Sequence, residues 1–486
     1  MRTKAHRRIA KVITYFYAGP VFLCLRRGGR GEEEIVLGFW VGRWHRIRRQ
    51  VPAAVLTVLH RLQSNGYQAY LVGGAPRDLL LGREPQDWDV TTDARPDEVR
   101  TVFPRTFPLG EKFGTVGVLV DDLQVEVTTF RREGGYSDGR RPDWVAFTPA
   151  VEEDLARRDF TINAIALDPL REKLVDPYHG VRDLRRRLVR AVGEPRARFT
   201  EDPLRMLRFY RFQATLGFHG ENGTEEGIVA ELIRRVSGER LRDELTKILT
   251  AVKPALGLWG LARSGLLTII SPEFLPALRE EPALFRHLVA TVEAIKPTPE
   301  LRWAAFLHDL GKATTRQVAA DGRVHYYGHD QVSHDLAAAI LERLRFPNAA
   351  REKILTLIRR HMFTADPGLT DAALRRLVGR VGPAHIFDLL ELRRADLVAS
   401  GNPPRQAGES LSLLARRLEA LLTGETVLTR KDLAVNGHDV MAFLALPPGP
   451  AVGAVLDEIF RWVTEDPARN RKDRILTFLA ERYRKS

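Results

Sequence analysis

The amino-acid sequence predicts an α+β protein in which an α/β head precedes a long helical body. The runs QAYLV, WDVTT, GTVGVLVDD and LQVEVTTF are rich in β-branched and aromatic residues and predict strands, the last two joined as a hairpin around Asp121 and Asp122. Beyond Pro195 almost every segment has the helical period, with proline and glycine between segments. A chain of 486 residues exceeds one ordinary core, so three or four domains are expected.

The local elements of the head follow in order along the chain. Apolar residues at helical spacing predict a helix over residues 51–65. The pair Gly73 and Gly74 predicts a turn, and the segment 78–82 predicts a helix that Gly82 ends. Residues 131–147 are polar and rich in glycine and predict a mobile loop, and β character is expected at 160–163.

Composition indicates the kind of partner. Lys and Arg number 75 against 62 Asp and Glu, which gives a net charge of +13 and a pI near 10.0. This surplus favours a polyanion, with nucleic acid first and a membrane surface second. Cys24 is the single cysteine, so an internal disulfide is excluded and a reducing, cytoplasmic location is expected.

Residues 1–49 predict a basic N-terminal extension outside the fold. Its apolar run is interrupted by Gly19 and Pro20 and lacks a small-residue cleavage site, unlike a signal peptide. The run is also too short to span a bilayer, and no other segment suggests a membrane.

Three carboxylates predict a catalytic metal site in the head. Alternate residues of a strand share a face, so Asp87 and Asp89 are expected on one side and Trp88 on the other. Glu126 alternates with valines on the next strand pattern. Clustered carboxylates repel unless a cation lies between them, and oxygen ligands suit Mg²⁺. A D-x-D motif alone is common on protein surfaces, so the motifs around it decide whether it is interpreted as catalytic.

Glycines before this motif predict phosphate binding. Gly73 and Gly74 would let backbone N–H groups approach a triphosphate, and Arg77 would add positive charge.

The stretch EDPLRMLRFYR predicts a helix that presents Asp202, Arg205 and Arg208 on one side, continued by Arg211. An ion pair of Glu201 with Arg205 on a solvated face is the simpler alternative. A carboxylate that accepts from an exocyclic amine, beside an arginine that donates to a ring nitrogen, would admit cytosine and adenine. The same pair would mismatch guanine and uracil.

Histidines in the helical body predict a second metal site. The candidates are His287, His308, Asp309, His329, His334, His361 and Asp396. Imidazole together with carboxylate suits a transition metal that activates water. The alternative is a set of core histidines satisfied by hydrogen bonds.

The head motif LVGGAPRDLLLGREPQDWDV resembles the signature of the class II nucleotidyltransferases, the tRNA CCA-adding enzymes and bacterial poly(A) polymerases. RRDFTINA, DPYHGVRDL, EDPLRMLRFYRF and ERLRDELTKIL follow in the order of that family's later motifs. The histidines and aspartates of the body resemble the HD phosphohydrolase domain, which occurs in part of the family. The likeness runs from about residue 50 to the end of the sequence.

The resemblance implies a fold, a domain order and a reaction. The head is expected to be polymerase-beta-like and to occupy residues 50–188, followed by a base-selecting and RNA-binding neck at 189–265. An HD domain is expected at 280–400 and a helical tRNA-binding tail at 401–486. The implied reaction adds C and A to the 3′ end of tRNA from CTP and ATP.

The resemblance also implies roles for residues. Catalysis is expected of Asp87, Asp89 and Glu126, with Mg²⁺ on the two aspartates. Nucleotide binding is expected of Gly73, Gly74, Arg77, Arg158, Asp159, Asn163, Asp202, Arg205, Arg208 and Arg211. A divalent transition metal at the HD site would take His287, His308, Asp309 and Asp396 as ligands.

Several alternatives stay open at this stage. An enzyme that adds only A or only CC shares these motifs. A poly(A) polymerase is less favoured, because LGEKFGTVGVLV has Glu111 and no histidine where that branch tends to have RRF and a histidine. An HD hydrolase with an inert head is disfavoured by domain order, and a noncatalytic RNA-binding module by three carboxylates that would repel RNA. No oligomeric state is predicted.

Overall fold

The structure is a computed structural model that describes residues 38–136, 143–364, 366, 368–424 and 430–483. It divides into two compact units. The head unit ends at Asp202 and also includes His219–Gly227, and the helical unit consists of Pro203–Phe218 and Ile228–Ser486. The predicted α+β class is confirmed. The finer division into head, neck, HD domain and tail stays a prediction.

The strands of the head unit are β1 (Ala69–Val72), β2 (Asp89–Thr92), β3 (Thr106–Pro108), β4 (Thr115–Val120), β5 (Leu123–Thr129), β6 (Arg131–Gly134), β7 (Trp144–Phe147), β8 (Ala166–Asp168), β9 (Lys173–Val175), β10 (Leu188–Val189) and β11 (His219–Gly220). Short strands β12 (Gln317–Val318) and β13 (Val324–His325) pair within the helical unit.

The helices in chain order are α1 (Gly38–Gln50), α2 (Ala53–Ser64), α3 (Gly74–Leu81), α4 (Pro96–Val102), α5 (Val151–Ala156), α6 (Gly180–Arg186), α7 (Pro195–Glu201), α8 (Leu204–Leu216), α9 (Asn222–Glu226), α10 (Gly238–Leu249), α11 (Pro254–Arg263), α12 (Leu266–Ile270), α13 (Leu275–Arg279), α14 (Pro282–Ala294), α15 (Pro299–Leu307), α16 (Lys312–Thr315), α17 (His329–Arg343), α18 (Asn348–Arg360), α19 (Asp371–Val381), α20 (Ile386–Ala399), α21 (Pro404–Gly424), α22 (Gly437–Leu444), α23 (Pro450–Glu465) and α24 (Lys472–Tyr483). Short 3₁₀ helices cover Glu111–Phe113, Thr161–Asn163, Ala230–Arg235, Pro272–Phe274, Arg430–Asp432 and Pro467–Arg469.

A mixed sheet of seven strands forms the centre of the described head unit, in the order β3-β4-β5-β2-β1-β8-β9. All four residues of β1 are buried, which explains its unbroken apolar sequence AYLV. In β5, Val125 and Val127 are buried and Glu126 is exposed, as strand alternation requires. The predicted hairpin is confirmed, with Asp121 in a left-handed conformation between β4 and β5.

Two predictions about the head need correction. Residues 131–136 and 143–147 were expected in a mobile loop, yet β6 and β7 pair in antiparallel register from Arg131 with Phe147 to Gly134 with Trp144. An ion pair of Arg131 with Glu133 at 2.9 Å supports the ribbon. The expected β character at 160–163 is a 3₁₀ helix over Thr161–Asn163. The middle of the expected loop, 137–142, lies outside the described residues.

The N-terminal prediction also needs correction. Residues 38–49 were assigned to an extension outside the fold, but they belong to α1. Trp44 and Ile47 are three residues apart, share a helix face, and are both buried. Arg43 donates a hydrogen bond to the carbonyl of Leu80 at the end of α3. Residues 1–37 lie outside the described residues.

The helical unit has a central bundle and a separate C-terminal core. Helices α14, α15, α18 and α20 pack against one another and bring their polar residues together in the interior. The helices α22, α23 and α24 enclose their own apolar cluster, which includes Val440, Ile459 and Leu479. Nowhere in the described chain does a helix combine the length and apolar character that crossing a membrane requires.

Candidate active site and metal centre

The head brings two of its three predicted carboxylates onto neighbouring strands. Strands β2 and β5 run parallel, and Asp89 and Glu126 occupy paired positions across them. Strand β2 begins at Asp89, one residue later than predicted, so Asp87 precedes it. Asp87 is exposed and Trp88 is buried, as alternation across the segment predicts.

The surroundings of Asp89 disfavour its negative charge. Burial and the nearby carboxylate of Glu126 raise the pKa of Asp89 to about 6, although the guanidinium of Arg158 opposes the rise. Asp87 adds a smaller repulsion. A bound cation would remove this penalty, so the electrostatics fit a metal ion.

The oxygen atoms of these three carboxylates suit a hard cation, but they are not gathered into one tight group. Within the part of the chain that the structure describes, these three carboxylates are not among the groups whose ligand atoms all lie within 4.8 Å of one another. Oxygen donors suit Mg²⁺, which keeps several waters and also binds substrate phosphates. The carboxylates therefore fit an ion shared with a phosphate ligand.

Gly73 leaves space directly in front of Asp89. Its φ of +73° lies in the region that favours glycine. A Cβ built there would lie 2.9 Å from Asp89 Oδ2 and 3.4 Å from Arg158 Nη1. Only glycine therefore lets the backbone come this close to the carboxylate.

Arg77 is held in a polar network beside the glycine turn. It donates to Asp78 Oδ1 and Oδ2 at 2.9 and 2.8 Å, and its Nη1 donates to Asn163 Oδ1 at 2.9 Å. Asn163 in turn donates to Asp159 Oδ1 at 3.0 Å, and both residues are buried. Four of the predicted nucleotide-binding residues, Gly74, Arg77, Asp159 and Asn163, thus lie close together.

Asp154 is a functional candidate that the sequence reading missed. It is fully buried, and its Oδ2 lies 3.4 Å from Arg158 Nη2 while its Oδ1 accepts from Arg157 at 2.8 Å. Burial opposes its ionisation, but Arg157 and Arg158 outweigh burial and lower the pKa of Asp154. Arg158 Nε is buried without a hydrogen-bond partner, so this arginine keeps donor capacity. In the sequence, Asp154 was marked only by the acidic first turn of the helix within VEEDLARRDF.

The prediction that one helix presents Asp202, Arg205 and Arg208 on the same side needs correction. Helix α7 ends at Glu201 and α8 begins at Leu204, so Asp202 is not on the helix of Arg205. The cause is Pro203, which lacks an N–H and restrains the preceding residue to an extended conformation, here φ −137° and ψ 99°. The boundary between the two units falls between Asp202 and Pro203.

Arg205, Arg208 and Arg211 do share α8. Arg211 Nε lies 3.1 Å from Glu244 Oε2 on α10, and its guanidinium covers the ring of Phe212 at 4.3 Å. Helix α10, which carries ERLRDELTKIL, packs on α8.

All four predicted HD-site ligands converge in the helical unit. We name His287, His308, Asp309 and Asp396 the first group, because their ligand atoms lie within 4.8 Å of one another. His287 Nε2 lies 3.4 Å from His308 Nε2, and 3.3 Å from both Asp309 Oδ2 and Asp396 Oδ1. His308 Nε2 lies 3.3 Å from Asp309 Oδ2. Separations near 3.3 Å match the edge of a tetrahedron around a metal with bonds of about 2.0–2.1 Å.

A second group shares Asp309 with the first. Asp309, His329 and His361 also bring their ligand atoms within 4.8 Å of one another. His329 Nε2 and His361 Nε2 lie 3.2 and 3.3 Å from Asp309 Oδ1. The remaining histidine candidate, His334, contacts Asp335 Oδ1 at 2.8 Å and belongs to neither group.

The charges of the first group are strongly coupled. Although burial works against it, Asp309 raises the pKa of His308 to about 10. Contacts with His308 and His287 outweigh burial and hold the pKa of Asp309 well below its usual range. The cluster therefore retains protons wherever no metal ion replaces them.

Comparison with known families matches three parts of the chain. Residues 69–190 match the "Poly A polymerase head domain". Residues 217–278 match an RNA- and SrmB-binding site of polymerase A, and residues 329–479 match the family "tRNA nucleotidyltransferase domain 2".

Two relatives that match most of the chain are both CCA-adding enzymes. The chain is 38% identical over 431 residues to a CCA-adding enzyme of Geobacillus thermodenitrificans, covering 88% of this chain and 96% of the relative. The CCA-adding enzyme of Lactiplantibacillus plantarum is 31% identical over 89% of this chain and 97% of its own length.

A crystal structure of the Bacillus stearothermophilus CCA-adding enzyme in complex with CTP is 34% identical, with a TM-score of 0.68, covering 89% of this chain and 97% of that one. The Thermotoga maritima CCA-adding enzyme complexed with tRNA_CCA shares the fold, with a TM-score of 0.51 at 20% identity over 90% of this chain and 98% of that one. The chain therefore belongs to the family of CCA-adding enzymes, which are tRNA nucleotidyltransferases.

Proposed function

We propose that this enzyme adds C and A to the 3′ end of tRNA, using CTP and ATP. The observation that carries this proposal is the placement of Asp89 beside Glu126 on paired strands, with Gly73 and Arg158 directly in front. Its relatives are named CCA-adding enzymes, and one of them was crystallised with CTP.

The proposed reaction is a nucleotidyl transfer. The 3′-hydroxyl oxygen of the tRNA attacks the α-phosphorus of CTP or ATP, the bond to the β-phosphate oxygen breaks, and pyrophosphate leaves. Mg²⁺ ions on Asp87 and Asp89, when bound, would promote loss of the hydroxyl proton and neutralise charge on the leaving group. Glu126 supplies a third carboxylate on the neighbouring strand. The backbone at Gly73 and Gly74 and the side chains of Arg77 and Arg158 would hold the triphosphate.

Base choice is assigned to Asp202 and Arg205. The carboxylate would accept from the exocyclic amine that cytosine and adenine share, and the guanidinium would donate to the adjacent ring nitrogen. Arg208 is proposed near the triphosphate. Arg211 has the same proposed role, and its Nε also lies 3.1 Å from Glu244 Oε2.

The test is incorporation of labelled CTP and ATP, separately and together, into tRNA ending at the discriminator base, at C and at CC. Addition of three residues that stops at CCA would support the proposal. Only A on the CC end, or only CC on the bare end, would reassign the enzyme to a specialist. A long A tail would make it a poly(A) polymerase, and failure with every primer would reject nucleotide addition.

A second candidate activity is supported by the first group of the helical unit. Its four ligand atoms have the spacing of a divalent transition-metal site, and imidazole with carboxylate suits such a metal. The activity would be phosphoester hydrolysis at the HD site. A water oxygen bonds to phosphorus, the ester P–O bond breaks, and the alcohol leaves with a proton.

Independence of the two sites can be tested by paired variants. Asp87→Ala is expected to abolish transfer and to leave hydrolysis of a phosphate ester intact. His308→Ala is expected to do the reverse. Loss of both activities in either variant would reject the two-site proposal. The cytoplasmic location and the identity of both metals stay predictions.

A further inference from the structure

Helices α1 and α6 of the head unit carry arginines that the proposed reaction does not use. Residues 43–50 and 180–187, which we name the arginine surface, contain eight arginines, no lysine and a single carboxylate, Asp183. Both helices pack against α3, and Arg43 donates a hydrogen bond to the carbonyl oxygen of Leu80 near the end of α3. Helix α1 precedes residue 69, where the match to the family head begins, so the family match does not describe this surface.

Helical spacing turns these arginines towards solvent. On α1, Arg46 and Arg49 lie three residues apart and are exposed, while Trp44 and Ile47 occupy the buried side. The exposed arginines of α6 and its C-terminal cap are Arg182, Arg185, Arg186 and Arg187. Residues at three- and four-residue spacing share one side of a helix, so each helix presents a row of guanidinium groups.

The two helices bring their positive charges close together. Burial, and then the charges of Arg185 and Arg46, lower the pKa of Arg43. Asp183 does not neutralise the surface, because it is buried and accepts a hydrogen bond from Arg190 Nε at 2.9 Å. A surface that gathers like charges without a counter-charge attracts a polyanion.

Stabilisation of the helix ends does not explain these charges. Positive side chains in the last turn interact favourably with the helix dipole, but the effect is confined to that turn. Arg43 lies about two turns before the end of α1, and Arg182 lies in the first turn of α6, where a positive charge is unfavourable. In the described part of the chain, four of the exposed arginines form no ion pair with a carboxylate: Arg46, Arg49, Arg182 and Arg186.

The composition of the arginine surface indicates the class of ligand. The planar fork of a guanidinium group matches two oxygens of a phosphate. Trp44 is buried, so residues 43–50 and 180–187, all of which the structure describes, expose no tryptophan, tyrosine or phenylalanine. Sites for single strands combine basic groups with stacking aromatic rings, whereas phosphate contacts position a nucleic acid without reading its sequence. The surface therefore fits the backbone of a duplex.

We propose that the arginine surface binds the phosphodiester backbone of the tRNA duplex close to the 3′ end that the head extends. Helix α3 begins at Gly74, beside the glycine turn in front of Asp89, and its eight residues span about 12 Å to the end that contacts α1. That length corresponds to about four phosphates along one strand of a duplex. The inference rests on the proposed function, because it takes tRNA as the RNA held at the head.

Equilibrium binding of the full-length protein to tRNA that ends at the discriminator base tests the proposal without catalysis. Fluorescence anisotropy would be measured without nucleotides at several salt concentrations. The surface variant replaces four exposed arginines by glutamine, at Arg46, Arg49, Arg182 and Arg186. Its Kd should rise about tenfold to a hundredfold near 0.1 M salt, and the slope of log Kd against log salt should fall by about 2–4.

A matched control variant removes the same charge from elsewhere on the head unit. It replaces four exposed arginines outside α1 and α6 by glutamine, at Arg61, Arg95, Arg105 and Arg171. This control should retain the wild-type affinity and salt dependence. Lysine at the four positions of the surface variant retains the charge and should restore most of the affinity. In a transfer assay the surface variant should raise KM for tRNA and leave kcat at saturating tRNA unchanged.

The outcomes separate this surface from the proposed function. Unchanged RNA binding in the surface variant would overturn the proposal and leave nucleotide addition intact. Equal losses in the surface and control variants would also overturn it, because net charge would then set the affinity. A protein that transfers no nucleotide, yet binds tRNA through these arginines, would retain the surface and reject the function. Loss of binding to phosphatidylserine vesicles alone, with tRNA binding unchanged, would reassign the surface to a membrane.

Two further measurements locate the contact. A hairpin that reproduces only the acceptor end of the tRNA should show the same loss of affinity in the surface variant. A loss seen with whole tRNA alone would overturn the position assigned near the 3′ end. In the wild-type protein, tRNA should slow hydrogen exchange of the backbone amides in residues 43–50 and 180–187. Absence of slower exchange would overturn the proposal even if the surface variant failed to fold.

Discussion

The sharpest test of the head is the substitution Gly73→Ala. The added Cβ would stand 2.9 Å from Asp89 Oδ2, about 0.5 Å inside the 3.4 Å at which ordinary contact begins. Either the carboxylate or the turn must move. The backbone conformation, φ +73° and ψ −124°, is also one that alanine adopts at a cost of about 1–3 kcal/mol.

Gly82→Ala is a matched control on the same helix. Gly82 ends α3 with φ +71°, and nothing lies within 4 Å of its built Cβ. It should lose about 1–2 kcal/mol of stability from backbone strain alone. Displacing Asp89, the proposed catalytic carboxylate, by a fraction of an ångström should in addition lower the kcat of Gly73→Ala about tenfold to a hundredfold.

The assay pairs denaturant unfolding with single-nucleotide addition at a temperature where both variants are folded. We expect both to be destabilised and only Gly73→Ala to lose transfer. Equal transfer activity in the two variants would refute the reasoning, because Gly73 would then be needed only for the turn.

Two further predictions follow from the charges. The pKa of Asp89 in the folded protein is about 6, above that of an unfolded aspartate. In the metal-free protein, protonation of Asp89 therefore stabilises the fold at low pH, and this contribution disappears as pH rises through 6. Mg²⁺ must displace that proton, so its affinity for the head should fall up to about tenfold per pH unit below 6, as a Mg²⁺ titration of transfer at several pH values would show. Glu244→Gln should destabilise the helical unit by about 1–3 kcal/mol, because it removes a carboxylate whose Oε2 lies 3.1 Å from Arg211 Nε on a mostly buried helix face. Glu231→Gln, which breaks an exposed pair with Arg234, should cost less than about 1 kcal/mol in the same denaturant measurement.

Periodicity was enough to predict which face of its strand Glu126 occupies. The two-residue repeat of a strand placed Glu126 opposite its buried neighbours, whereas its pairing with Asp89 is supplied by the structure. The convergence of His287 with Asp396 could not be derived in this way, since helices α14 and α20 are separated by about a hundred residues. That prediction came from the resemblance to HD domains, and the structure supplies the distances.

The wrong predictions have identifiable physical causes. Pro203 follows Asp202 directly, and its missing N–H is a helix break that outweighs the three-residue spacing of charges. Trp44 and Ile47 have helical spacing inside a basic segment, where composition hid the pattern. The ribbon β6–β7 depends on Arg157 as well as Arg131 around Glu133, and Arg157 is distant in sequence. Polar contacts between residues that are distant in sequence leave no pattern in the local sequence from which they could be predicted.

The two charged clusters of this chain place opposite demands on a metal. The head offers carboxylate oxygens, a donor set that selects hard, strongly hydrated ions such as Mg²⁺. The helical unit offers four imidazole nitrogens and two carboxylates in a buried site, a set that binds later first-row ions more tightly. Burial should slow exchange too, since His308, Asp309 and His361 are buried while His287 is only partly exposed. A chelator that strips transition metals should therefore remove ions from the helical unit slowly while nucleotide addition continues in excess Mg²⁺. Simultaneous loss of transfer and of bound transition metal would mean that the two clusters are not chemically independent.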